Sequence, residues 1–169
     1  MDFSELIHKR YSVRAYKPDA VEDDKLAEIL EAARIAPTAA NRQPFQIIVI
    51  HTANRQAELR RIYGREWFTQ APLIICACGV PRNAWVRTDK RRYLDVDVAI
   101  VMDHLILAAA NLGLGTCWIA AFNAEAAREV LHLPEGIEPL IFSPLGYPSD
   151  QPKEKERKPL SELVRFESW

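Results

Sequence analysis

The sequence predicts a single α+β domain, on three observations. Its 169 residues are the length of one domain. About four short apolar runs are interleaved with segments of helical period. Their order lacks the strict strand–helix–strand rhythm of a doubly wound dinucleotide-binding domain.

In chain order, residues 22–35 place Leu26, Ile29, Leu30 and Ala33 at helical spacing. Glu22, Asp23 and Asp24 put negative charge at the positive end of that helix's dipole, and Pro37 stops it. Residues 45–51, rich in Ile and Val, read as a strand, 54–63 as a helix, and 72–78 as a second, buried strand. Residues 96–112 are apolar almost all round, with Asp97 and Asp103 as exceptions, the pattern of a central or interface helix. Gly113 is placed to cap its C-terminus. The run 117–122 reads as a strand, Asn123 as the cap of a helix reaching about Leu131, and 139–145 as a strand closed by the Gly146-Tyr147-Pro148 turn. From Ser149 the chain is polar and basic, then ends in Phe166 and Trp169. Residues 1–169 are therefore taken as one domain, with 149–169 a C-terminal extension that packs on its own body or on a partner subunit.

Composition narrows the function classes. A net charge of −1 lacks the basic excess of a general nucleic-acid binder, so any positive charge that matters is local. No apolar run reaches the ~18 residues of a membrane span, and the acidic N-terminus does not resemble a signal peptide. Cys76, Cys78 and Cys117 lie in apolar segments without the pattern of a zinc site, which predicts buried thiols and a cytoplasmic location.

Several chemistries are missing. Gly113-Leu114-Gly115 follows a helix and has no third glycine, so it is not a dinucleotide fingerprint. There is no G-x-x-x-x-G-K-[ST] loop, no H-E-x-x-H and no G-x-S-x-G elbow, and His8, His51, His104 and His132 are scattered. No catalytic side chain and no metal ligand set is predicted.

Four segments are polar, or small, where fold-building alone does not require it. In Arg10-Tyr11-Ser12-Val13-Arg14 an extended backbone turns Arg10, Ser12 and Arg14 to one side, where two guanidiniums and a hydroxyl can hold a phosphate. Residues 36–45 set small residues, Thr38 and Asn41 between Pro37 and Pro44, so that backbone can approach a flat ring. Residues 118–122, Trp-Ile-Ala-Ala-Phe, offer backbone amides beside small side chains. Lys155-Glu156-Arg157-Lys158 is a basic cluster in the tail. Taken alone, each also fits a plain role: edge strand, connecting loop, buried strand, solvated face.

Together these segments resemble the nitroreductase family of flavoproteins across nearly the whole chain. The resemblance rests on R-x-S-x-R at Arg10–Arg14, A-P-T-A-A-N-R-Q-P-F at Ala36–Phe45, L-G-L-G-T-C-W-I at Leu112–Ile119, P-L-G-Y-P at Pro144–Pro148 and K-x-R at Lys155–Arg157 followed by Pro159-Leu160. It implies a nitroreductase-like fold, a mostly antiparallel sheet of four to five strands flanked by helices, and an intertwined homodimer with FMN at the subunit interface. By the same resemblance Arg10, Ser12 and Arg14 contact the FMN phosphate, ribityl chain and pyrimidine edge, and Lys155 and Arg157 help neutralise the phosphate. Pro37, Thr38, Ala39 and Asn41 come from the other subunit, and Trp118, Ile119, Ala120 and Ala121 lie beside the ring near N5. The implied activity is ping-pong hydride transfer from NADH or NADPH through N5 to nitroaromatics, quinones or related small acceptors.

Two departures bear on acceptor choice. Ala120-Ala121 stands where many members have Glu-Gly or a Gly, and Ala39 replaces a frequent hydroxyl residue. Trp85 or Phe122 is expected to line the acceptor site, and the arginines of Pro81–Tyr93 to favour NADPH, unless that segment is a solvated loop. Reductive dehalogenation, flavin modification on the same fold, or a flavin-binding protein with little turnover are the alternative readings.

Overall fold

The computed structural model describes residues 2–169. Helices α1 (Phe3–Lys9) and α2 (Asp23–Arg34) precede strand β1 (Phe45–His51), helix α3 (Gln56–Ile62) and strand β2 (Leu73–Gly79). Helix α4 (Leu94–Asn111), strand β3 (Gly115–Thr116), helix α5 (Ala124–Val130), strand β4 (Glu138–Gly146) and helix α6 (Leu160–Leu163) follow. The strands form one antiparallel sheet in the order β1-β2-β4-β3.

Both faces of the sheet are covered, which is why β2 is apolar throughout rather than alternating. Leu73, Ile75 and Ala77 face Ile29 and Ala33 of α2 and Val98, Val101, Met102 and Leu105 of α4. Ile74, Cys76 and Cys78 face Leu59 and Ile62 of α3, Ala127 and Val130 of α5, and Phe142. The three cysteines are free and buried. Among the described residues no helix is long and apolar enough to cross a membrane.

Local signals explain the ends of the elements. Asn123 Oδ1 accepts from the Ala126 amide at 3.0 Å, capping α5. At the end of α4, Gly113 has φ +78°, its amide donates to Ala110 and the Leu114 amide donates to Ala109, a left-handed cap open to a residue without a Cβ. The expected strand over 117–122 is corrected. The paired segment is Gly115–Thr116, and beyond it, among the described residues of this run, backbone pairing with the sheet is made by Ile119 alone, which exchanges both backbone hydrogen bonds with Phe142 at 2.9 Å. The Cys117 amide donates instead to the Ser143 hydroxyl at 3.1 Å, and Trp118, Ala120 and Ala121 turn outward, so burial does not continue the strand.

The N-terminal extended segment lies along the β3 edge. Ser12 pairs in parallel with Thr116, and the Val13 amide donates to the Thr116 carbonyl at 2.9 Å. Its other side meets the chain leaving β4: Lys17 donates to Tyr147 at 2.8 Å and Ser149 to Ala15 at 2.9 Å. Val13, 1% exposed, packs over Gly115, where a Cβ would lie 2.6 Å from Val13 Cγ2. That close approach brings the first and last thirds of the chain together.

Candidate functional site

With Val13 pointing inward, period two turns Arg10, Ser12 and Arg14 the other way. They line one cavity of about 500 Å³ together with Lys155 and Arg157 from the returning tail, a size suited to a small organic ligand. Five residues singled out in the sequence thus converge from two ends of the chain.

The site's electrostatics ask for an anion. Loss of solvent, then the positive charges of Arg10 and Arg157, push the Lys155 ammonium below the usual lysine range. Among the described residues none of Arg10, Arg14, Lys155 and Arg157 has a carboxylate within ion-pair distance. Asp150, Glu154 and Glu156 also line the cavity, but Asp150 is engaged elsewhere. Its Oδ2 accepts the Arg14 amide at 2.8 Å, and its Oδ1 and main-chain carbonyl lie 3.1 and 3.0 Å from the Tyr11 hydroxyl. Lys155 donates to the carbonyls of Ile7 and His8, the exposed negative end of α1, which holds the tail against the cavity. A doubly charged phosphate would neutralise this crowd of cations, so the donor set fits the FMN phosphate.

The loop between α2 and β1 does not line this cavity. Pro37 is exposed and Thr38 opens a short 3-10 turn, Ala39–Asn41. Ala40, Asn41 and Gln43 have φ of 51°, 53° and 48°, the left-handed region, at a cost of roughly 1 kcal/mol or more for each residue that is neither Gly nor Asn. The Thr38 hydroxyl accepts the Gln43 amide at 3.0 Å and Asp97 Oδ1 accepts the Ala39 amide at 2.7 Å.

Trp118, Ala120 and Ala121 are exposed, and among the described residues the amides of Ala120 and Ala121 find no acceptor. Ile119 is buried and its amide is taken by Phe142. Trp85 is half-buried against Tyr93, edge to face with centroids 5.1 Å apart, and Phe122 packs likewise on Phe142 at 4.7 Å. The segment around Trp85 is ordered rather than a bare loop: Val86 pairs with Arg92, Arg87 and Arg91 close the turn, and Lys90 sits at φ 72°. Within one chain these groups do not converge on the cationic cavity.

The Tyr11–Asp150 clamp has no signature in the sequence, because no spacing links residues so far apart. Asp97 has one, an acid in an otherwise apolar helix.

The model of the nitroreductase family matches residues 7–64 and 59–147. A nitroreductase family protein of Clostridium difficile 630 is 40% identical, with a TM-score of 0.91 and complete coverage of both chains. One from Clostridium novyi NT is 32% identical, TM-score 0.84, covering 92% of this chain and 89% of that one. The FMN reductase [NAD(P)H] of Bacillus subtilis is 28% identical over 94% of this chain and 70% of its own length. With its α+β sheet, its motifs and these likenesses in agreement, the chain belongs to the nitroreductase family.

Proposed function

We propose that this protein works as a homodimer that takes electrons from NADH or NADPH and delivers them to small organic acceptors such as nitroaromatics and quinones. Its chemistry is that of an FMN-dependent NAD(P)H oxidoreductase, in line with its family and with the name of the Bacillus subtilis relative. The observation that carries the reading is the convergence of Arg10, Arg14, Lys155 and Arg157 on one cavity, none of them with a carboxylate within ion-pair distance among the described residues.

Bound FMN supplies the hydride relay between donor and acceptor in a ping-pong scheme, so the protein need contribute no acid or base. The chain's residues bind and orient. Arg10, Ser12 and Arg14 would hold the phosphate, ribityl chain and pyrimidine edge, and Lys155 and Arg157 would help neutralise the phosphate. The free amides of Ala120 and Ala121, beside Trp118 and Ile119, are donors for the ring edge. Pro37, Thr38, Ala39 and Asn41 complete the site from a second copy, and Trp85 and Phe122 border the acceptor's place.

Dimerisation is supported by unpartnered apolar surface. Phe3 (66% exposed) and Ile35 (62%) flank an open groove lined by Leu107 and Ala108, and the tail exposes Leu160, Leu163, Phe166 and Trp169.

Purified protein tests the reading directly. It is expected to hold FMN, bleach under anaerobic NADH or NADPH, and regain colour with a nitroaromatic or quinone. Tight FMN that never bleaches would leave only a flavin-binding protein, and failure to take up FMN at all would overturn the reading.

A further inference from the structure

We propose that Asp97 is a positioning residue, and that its single hydrogen bond to the Ala39 amide holds the Thr38–Gln43 loop in the left-handed shape it presents to the cofactor. The inference rests on the FMN reading above for what the loop serves, and on the structure for how the loop is held.

Asp97 lies in the first turn of α4 and is 1% exposed. Its Oδ1 accepts the Ala39 amide at 2.7 Å, while Oδ2 is buried with no hydrogen-bond partner among the described residues. Burying a carboxylate for one hydrogen bond is a poor way to stabilise a helix whose neighbours are Leu94, Val98 and Val101; an apolar residue there would serve the core better. The arrangement makes sense if the amide bond itself is what is needed. Ala40, Asn41 and Gln43 all carry positive φ, a conformation that Ala and Gln leave when nothing holds it.

The other ties of the loop do not replace Asp97. Thr38 Oγ1 to the Gln43 amide and Gln43 Nε2 to the Asn41 carbonyl are internal, so they shape the loop without fixing it to the body. The Val80 amide reaches the Pro44 carbonyl at 2.8 Å, at the loop's far end, and Arg42 reaches the Ala84 carbonyl at only 3.5 Å. Asp97 is the side chain of the body that grips the near end, where the 3-10 turn begins.

Three variants separate positioning from bulk stability. Asp97→Ala removes the acceptor. Asp97→Asn keeps an oxygen for the amide and discards the carboxylate. Ala39→Pro removes the amide hydrogen from the opposite side and puts its ring carbon where Oδ1 now sits, so the carboxyl must give way, while Thr38 (φ −134°, ψ 156°) already has the backbone that a following proline requires. Two measurements are made on apoprotein: FMN and riboflavin affinity by fluorescence titration, and the rate of tryptic cleavage after Arg42, which is exposed in the loop.

Asp97→Ala and Ala39→Pro are expected to raise the Kd for both flavins about tenfold or more, and Asp97→Asn to stay within about twofold of the parent. Cleavage after Arg42 is expected to accelerate in the first two variants only, with the melting of the rest of the chain little changed. Equal flavin affinity and equal cleavage in all forms would overturn the proposal, as would Asp97→Asn behaving like Asp97→Ala. If Asp97→Ala does not fold, the comparison of Ala39→Pro with Asp97→Asn carries the test. A parent protein that binds no flavin would overturn the FMN reading instead, with the cleavage arm still reporting on the Asp97 contact.

Discussion

The Tyr11 hydroxyl and the Asp150 carboxylate, 139 residues apart in sequence, meet at 3.1 Å at the rim of the cationic cavity. Because Asp150 also accepts the Arg14 amide at 2.8 Å, one carboxylate fastens the returning tail to the N-terminal extended segment. Burial first, then the hydrogen bond to Asp150 and its charge, push the Tyr11 hydroxyl from 10.0 up to about 12. A folded-state pKa raised in this way means that the contact contributes fully below pH 10 and is lost as pH rises through about 12. Tyr16, raised by burial, adds to alkaline sensitivity in the same direction. Tyr11→Phe is expected to cost about 1 kcal/mol at neutral pH and to flatten the alkaline loss of stability. Thermal melts of the two proteins across the alkaline range check both; parallel pH profiles would remove Tyr11 from the account.

The cations should be read out by the phosphate they hold. Charge-assisted hydrogen bonds contribute about 1.5–3 kcal/mol, so Arg10→Ala, Lys155→Ala and Arg157→Ala are each expected to weaken FMN binding roughly 10- to 100-fold. Riboflavin, which lacks the phosphate, should bind all four proteins almost alike. Flavin fluorescence titrations of the apoproteins make the comparison, and equal losses for FMN and riboflavin would show that these side chains do not meet the phosphate.

What the sequence made legible follows the range of each interaction. Local patterns gave β1, β2, β4 and the helices α2 to α5 nearly to the residue, because period and capping are properties of neighbours, as at Asn123 and Gly113. Arg10, Ser12 and Arg14 were legible as one face because alternation is local too. That Lys155 and Arg157 join them followed only from resemblance; physically it needs the sheet edge that places Ser149 against Ala15. The strand expected over 117–122 failed because its apolar run reflects contact of Ile119 and Phe122 with Phe142, not a continuous ladder. The left-handed loop at Ala40 and Gln43 had no signal, since neither residue favours that conformation on its own.

Gly115 is the hinge of that sheet edge, and its missing side chain has a specific reason. A Cβ would lie 2.6 Å from Val13 Cγ2 and 2.9 Å from Val13 Cβ, and Val13 is locked in the core. Gly115→Ala is expected to destabilise by about 1–3 kcal/mol and to shift the extended segment carrying Arg10 and Arg14, lowering FMN affinity as well. Val13→Ala in the same chain should recover part of the stability, so the double variant should lose less than the sum of the singles in chemical denaturation.

Donor preference is expected to follow Arg91 rather than Arg87. The Arg87 guanidinium is held by Asp89 at 2.9 and 2.5 Å and by the Tyr93 hydroxyl at 3.0 Å, so its donors serve the turn. Arg91 is exposed, and among the described residues its guanidinium has no ion-pair partner, so it can meet an additional phosphate. Arg91→Ala is expected to lower the NADPH/NADH ratio of kcat/KM about tenfold, whereas Arg87→Ala should mainly lower the melting temperature. Steady-state kinetics with both donors decide, and an unchanged ratio in Arg91→Ala would end the proposal.

The tail offers the sharpest test of the shared site. Leu160, Leu163, Phe166 and Trp169 are 76, 61, 87 and 104% exposed, although burying a side chain of this kind contributes about 1.5–3 kcal/mol. Among the described residues no further strand pairs with β1 on its outer side, and β1 carries the half-buried Ile47 and Ile48. Both surfaces are satisfied at once if each chain's extension lies on its partner. A chain ending at Pro159 keeps Lys155 and Arg157, and so the phosphate donors, while losing that apolar cover. It is expected to sediment as a monomer, and to bind FMN at least about tenfold more weakly than the full chain because the Thr38–Asn41 loop of a second copy is gone. Full-length protein that is monomeric yet FMN-replete in sedimentation would contradict the dimer, whereas a truncated dimer would move the interface to the groove between Phe3 and Ile35.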